Sequence, residues 1–222
     1  TDSNGNRDGL IGTLVSADKN VVVNSGSANG SFGNGGSRDY GIDQIVGLDK
    51  IGKEYIFVKG EGQDSYENVL IVAHYDETEI KINGGSTEAT INKGQYYIIE
   101  GDKFTDGNMH VLTTKDVFAY QGVGGGSEAN QGMFFVPPLS CESRGDVNNI
   151  ALIDQIGGNT LVGGVTIVTK KNATVLINDI DISNQPNNIS VVGPASVTGN
   201  LDYITYRVKG LSGNVSVNSS DE

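Results

Sequence analysis

The chain has 222 residues and a formal net charge of −12, and its 27 acidic against 15 basic side chains argue against a nucleic-acid backbone or an anionic membrane surface as partner. Cys141 is the only cysteine, which excludes an intrachain disulfide framework, and no run of about 18 apolar residues is present to span a bilayer as a helix. The 32 glycines, 4 prolines and absence of tryptophan suit a chain of strands and tight turns, because Gly and Asn reach positive φ at little cost.

Residues 1–11 read as a linker or edge segment, and the chain opens at Thr1 without a signal peptide, as a mature segment or a piece of something longer. "TDSNGNRDG" sets Asp2, Asn4, Asn6 and Asp8 at alternate positions, the spacing by which a tight loop gathers oxygens round Ca²⁺. Arg7 stands where such a loop needs glycine, and Thr13 where it needs a bidentate Glu; a solvated linker has the same composition.

From there the hydrophobic period is two. "VVV" at 21–23, "EYIFV" at 54–58, "NVLIVA" at 68–73, "TEIKIN" at 78–83 and "GQYYII" at 94–99 are predicted strands, each bounded by Gly, Asn or Asp. They are followed by "DVFAYQ" at 116–121, "MFFV" at 133–136, "GVTIVT" at 164–169, "TVLIN" at 174–178, "ISVV" at 189–192 and "DYITYRV" at 202–208. No window carries a capped helical face, so the prediction is all-β.

Val117 follows Val21, Ile167 follows Ile71 and Thr174 follows Thr78 at one common offset of 96 residues. Two hairpins share it, each with a polar turn of four residues and each followed by a turn signal, Asn83-Gly84 or Asn178-Asp179. The sequence therefore reads as an internal duplication, with a first β repeat at 12–107 and a second at 108–222, in an antiparallel, β-sandwich-like architecture. Two packed sandwiches and one larger pseudo-symmetric structure both fit. The tail "GNVSVNSS" at 213–220 resembles the opening of a third copy, which predicts Val215 and Val217 in a strand paired with the first.

Glycine-rich stretches follow both copies of the opening strand, "SGSANGSFGNGGSRDYG" at 25–41 and "QGVGGGSEANQGMFF" at 121–135, and are expected at equivalent ends of the two repeats. Phe32 and Tyr40, with Asn34, Arg38 and Asp39 around them, form a candidate surface for stacking on a sugar or a peptide. Aromatics that plug the open end of a sandwich would look the same.

Catalytic signatures are missing: there is no H-E-x-x-H or G-x-S-x-G, and no G-x-x-x-x-G-K followed by Ser or Thr, the string at Gly47–Lys53 being followed by Glu54. His74 and His110 stand alone, and the carboxylates, among them Asp43, Asp64 and Glu67, read as a solvated surface. A non-enzymatic chain is expected.

The segments "GTLVSADKNVVVNSGS", "DYGIDQIVGLDKIGKEYIFVKG", "ENVLIVAHYDETEIKINGG", "TINKGQYYII", "TTKDVFAYQGVG" and "FFVPPL", in this order, resemble the N-terminal domain family of the IgG-Fc-binding proteins. The similarity runs from Gly12 to about Leu139 and more loosely to the end. Vertebrate members are rich in cysteine. With one cysteine this sequence is similar to the bacterial branch, where such modules occur in surface adhesins, including those of gliding Bacteroidetes. The resemblance implies extracellular adhesion or scaffolding through exposed loops, offers no catalytic residues to carry over, and does not extend to immunoglobulin binding. Its expected partners are a surface glycan or protein or a neighbouring module, with no cofactor unless Ca²⁺ at the first loop. The alternative is a Ca²⁺-assisted carbohydrate-binding module of a secreted enzyme.

Overall fold

The computed structural model describes residues 10–30, 39–124, 132–140 and 145–221, and for 27–30 and 39–42 the backbone alone. The fold is all-β and antiparallel, with only three single-turn 3-10 helices among the described residues. Strand β1 (Val23–Gly30) pairs with β2 (Asp39–Ile45), Val23 standing opposite Ile45. Val21 and Val22 were expected to lead this strand, yet they precede it and are exposed. The ladder starts where β2 supplies a partner, so pairing, not the run of valines, sets its first residue.

A first assembly follows: β3 (Gly52–Val58), β4 (Val69–Ala73), β5 (Thr78–Ile82), β6 (Thr87–Ile91), β7 (Tyr96–Ile99), β8 (Asn108–Val123) and β9 (Gly132–Phe135). Strand β8 joins them. Its first half pairs with β3 and β5, so that Val111 stands opposite both Tyr55 and Ile82, and its second half pairs with β4 and β9. The register jumps between Leu112 and Val117, and the corner so formed is pinned by side chains. Thr113 Oγ1 donates to the Lys115 carbonyl (2.8 Å), and Thr114 Oγ1 accepts from Glu79 N (2.9 Å). Through this corner the sheet folds over itself, and Tyr55, Phe57, Ile71, Ile80, Met109 and Val117 share one core. Each such buried side chain stabilises the fold by about 1.5–3 kcal/mol.

The second assembly holds β10 (Asp146–Ile150), β11 (Gln155–Ile156), β12 (Asn159–Thr160), β13 (Gly163–Lys170), β14 (Val175–Ile177), β15 (Ile180–Asp181), β16 (Ser190–Ser196), β17 (Tyr203–Leu211) and β18 (Val215–Ser219). Sheets β10-β18-β14-β15 and β13-β17-β16 share a second core of Ile167, Val175, Ile177, Tyr206, Val208 and Val215. Val215 and Val217 thus lie in a strand as expected. Its partners, however, are β10 and β14, while β1 pairs with β2.

The same local devices occur in both assemblies. Asn83 ends β5 with φ +50° and Asn178 ends β14 with φ +49°. Asn83 accepts from His110 N through Oδ1 (3.0 Å) and donates its own N–H to the His110 carbonyl (2.8 Å). Asn178 treats Ser216 identically, at 2.8 and 3.0 Å. Thr174 N donates to Ser220 Oγ and Ser219 Oγ to the Asp221 carbonyl, both at 2.8 Å, repeating the bonds made by Thr114 and Thr113. Residues 213–221 therefore take the place of 107–115, the first half of β8 and its corner, which is why β18 sits beside β14. Strand β8 itself begins at Asn108, where the second repeat is expected to begin, and pairs with strands of the first assembly.

The two assemblies meet along a polar seam. Asn108, fully buried, donates through Nδ2 to the Ser196 carbonyl and to Thr205 Oγ1, both at 3.1 Å. Asn200 Nδ2 donates to Glu54 Oε1 (2.7 Å), Arg207 Nη1 to the Gly60 carbonyl (2.8 Å), and Lys209 pairs with Glu61. Gly199, at φ +100°, lies so close to the Asn83-Gly84 turn that a Cβ there would stand 2.5 Å from Gly84 N.

Candidate functional site

The two glycine-rich connections join β1 to β2 and β8 to β9. Phe32, Asn34 and Arg38 lie outside the described residues, as do Asp2, Asn4, Asn6 and Asp8. Asp39 and Tyr40 open β2, with Asp39 opposite Gly30. Among the described residues no three His, Cys, Asp or Glu side chains are gathered as a metal site.

The hairpins that carry these connections were expected at the ends of separate repeats, but they are neighbours. Strand β2 lies against β9, and Phe135 N donates to Asp43 Oδ2 (2.7 Å). Asp43 had read as one of many surface carboxylates. Its other oxygen accepts from Gln44 N of the same strand (2.8 Å), so the bond from Phe135 N is the one that ties the hairpin to β9. On the adjoining strand Tyr120 stands opposite Phe135, their rings edge to face with centroids 5.8 Å apart. Tyr120 is 6% exposed, and its hydroxyl has no hydrogen-bond partner among the described residues. Burial, reinforced by the negative charge of Asp43, pushes its pKa up to about 12. It is therefore a neutral hydroxyl over the ordinary pH range, without a hydrogen-bond partner among the described residues. Phe134, 40% exposed, faces out beside it. Of these groups Phe134 presents an exposed aromatic face, which suits recognition of a ligand.

Sequence reasoning missed Tyr120 and Phe135 because both sit in strand patterns that read as core; the one available sign was Asp43, a lone carboxylate between the apolar Ile42 and Ile45.

The base of the second connection is fixed by Glu67, which also read as a surface carboxylate and is in fact fully buried. Its Oε2 accepts from Gly60 N (2.7 Å), and its Oε1 accepts from Gly62 N (2.7 Å) and Gly124 N (2.9 Å). Three backbone donors replace the water that the carboxylate gave up, which is what makes its burial tolerable. Since the Gly60 carbonyl also takes the Arg207 guanidinium, a continuous polar path runs from the loop base at Gly124 to the second assembly.

His110, 3% exposed, contacts Glu54 Oε1 through Nε2 (2.8 Å) at the seam, and His74 packs edge to face on Tyr75. Both are packing positions. A shallow concavity of about 360 Å³ lies elsewhere on the first assembly, beside Ile82, Tyr97, Ile99 and Lys103. No helix among the described residues is long and apolar enough to cross a membrane.

The described residues form an all-β module whose two hairpin connections are carried on neighbouring, hydrogen-bonded strands. Over residues 3–222 the chain matches the family model described as IgGFc binding protein, and it belongs to that family. No curated protein and no solved structure matches it.

Proposed function

We propose that this chain is a non-catalytic module of a bacterial cell-surface or secreted adhesin, acting outside the cell. It is built by internal duplication, its second copy of the pattern ending at residues 213–221 as the first does at 107–115, and binds a surface glycan or protein through the two glycine-rich connections. The observation that carries this reading is the junction of β2 with β9, which brings the hairpins bearing both connections together over Asp43, Tyr120 and Phe135. Loops on a rigid sheet scaffold are where recognition concentrates. The locked seam suits a spacer that transmits load between neighbouring modules.

An array of surface glycans and extracellular proteins, probed with the parent chain and with a Phe32→Ala/Tyr40→Ala variant, tests this. Binding by the parent that drops at least about tenfold in the variant supports recognition through the loops, which corresponds to about 1.4 kcal/mol. Binding that the variant retains in full, or none by the parent, would sink it. The alternate oxygens of Asp2, Asn4, Asn6 and Asp8 favour a second reading, a Ca²⁺-assisted carbohydrate-binding module. That reading requires millimolar calcium to raise the melting temperature and an Asp2→Ala/Asp8→Ala variant to lose the increase.

A further inference from the structure

Strands β5 and β7 share no ladder, and between Ile82 at the end of β5 and Tyr97–Ile99 of β7 lies the concavity of about 360 Å³. Ile82 and Ile99, both buried members of the first core, line its depth, and the half-buried Tyr97 lines its side. The rim is cross-braced. Gly101 N donates to the Asp64 carbonyl (3.0 Å), Asn83 Nδ2 donates to the Lys103 carbonyl (2.9 Å), and Lys59 pairs with Asp64. Glu88 stands 3.4 Å from the Tyr97 hydroxyl, which donates to it, and 3.5 Å from Lys103 Nζ.

The duplication supplies a comparison. Tyr97 stands opposite Ile71 of β4, and Tyr206 of β17 stands opposite Ile167 of β13, the residue 96 positions after Ile71. Burial raises the pKa of both tyrosines, and a neighbouring carboxylate adds to the rise in each, Glu88 for the first and Asp181 for the second. The second tyrosine is closed in: Tyr206 is 9% exposed and shares its core with Ile182, from the 3-10 turn Ile182–Asn184. The first copy instead leaves its tyrosine half-open over a concavity. It lacks the stabilisation that the second gains by burial, and a ligand seated on the ring would supply it.

The charges around the opening narrow the class of ligand. Lys59 and Lys103 oppose a cation, while Asp64, Glu88 and Asp102 oppose an anion. Carboxylate oxygens accept from hydroxyl groups, and an aromatic ring beside two isoleucines suits an apolar ring face. The volume lies at the small end of ligand pockets, which run from about 300 to 1,000 Å³.

We infer that this concavity is a binding site for a neutral hexopyranose, stacked on Tyr97 with its apolar face toward Ile82 and Ile99 and its hydroxyl groups donating to the carboxylates of the rim. The site stands on Tyr97 and the concavity and not on the glycine-rich connections, so the Phe32→Ala/Tyr40→Ala variant is expected to keep it. Sugar binding that this variant retains and Tyr97→Ala loses would support the concavity and sink the loop reading.

The test is a titration of the intact chain with the methyl glycosides of glucose, galactose, mannose and N-acetylglucosamine, followed by two-dimensional amide NMR. With at least one of them, saturable shifts are expected at the amides of residues 64–65 and 97–103. Tyr97→Ala should weaken that binding at least about tenfold. Ser65→Trp, which fills the concavity from a position outside the core, should abolish it, with unchanged amide shifts across the second assembly as the check that both variants fold. Methylammonium and acetate should leave the same amides unmoved. No saturable shift with any of these glycosides, shifts confined to other residues, or an affinity unchanged in both variants would overturn the site. A response to methylammonium or acetate alone would overturn the neutral sugar as its ligand.

Discussion

Two buried polar side chains do work that their residue types alone would not announce. Glu67 holds three glycine N–H groups, so a Glu67→Gln change replaces one accepting oxygen by an NH₂ that faces donors. The expected loss is about 1–3 kcal/mol, read as a lowered urea midpoint, with the exposed Glu77→Gln change as a control near zero. Equal midpoints for the two variants would contradict a structural role for Glu67. Tyr120 makes a pH prediction. Its folded pKa is raised above the ordinary 10, so below pH 10 both states are protonated and the fold keeps its full stability. As pH rises from 10 toward 12 the unfolded chain ionises first and stability falls, by an upper limit of about 2–3 kcal/mol. Tyr55 shares the direction, its hydroxyl being buried and bonded to the Val117 carbonyl at 2.5 Å. Denaturation midpoints should therefore decline over this window, and Tyr120→Phe should flatten the decline without abolishing it.

At the scale of elements, the repeated asparagine turn allows a paired test. Asn83→Ala and Asn178→Ala each remove an acceptor from a strand N–H and place alanine at positive φ, which costs about 1–3 kcal/mol. Asn83 additionally donates to the Lys103 carbonyl (2.9 Å), so its loss should be the larger of the two in chemical denaturation. A negligible effect at Asn178 would count against equivalence of the two turns. Both turns were legible as Asn-Gly and Asn-Asp punctuation, and the strands between them as period-two runs, because one face of each meets a core. Strand β10, "DVNNI", was not legible: almost all of it is exposed, and it is held by its ladder to β18 and not by side-chain burial. Strand β6, "TEATI", escaped for the same reason, since only Ile91 at its end is buried. The join between β2 and β9 was beyond any local pattern. A carboxylate that accepts a backbone N–H 92 residues away leaves no periodic trace.

For the whole molecule the question is whether the two assemblies unfold as one. Each has its own core, and neither core shares a side chain with the other. What couples them is the seam: Asn108 bridging to Ser196 and Thr205, Arg207 reaching Gly60, Asn200 reaching Glu54, and Gly199 lodged against the turn at Gly84. Of these the amide of Asn108 is the most buried, and truncating it strands the Ser196 carbonyl and the Thr205 hydroxyl without that donor. The penalty should be about 1–3 kcal/mol, but its more telling consequence concerns cooperativity. Calorimetry of the parent should give one transition whose van't Hoff and calorimetric enthalpies agree, because neither half opens without breaking the seam. Asn108→Ala should split this into two transitions, and Gly199→Ala should do so more strongly, since its new methyl cannot clear Gly84 N at 2.5 Å without parting the halves. Two independent transitions already present in the parent would mean that the seam is too weak to lock the halves, and with it would go the proposal that the module carries load as a single rigid body.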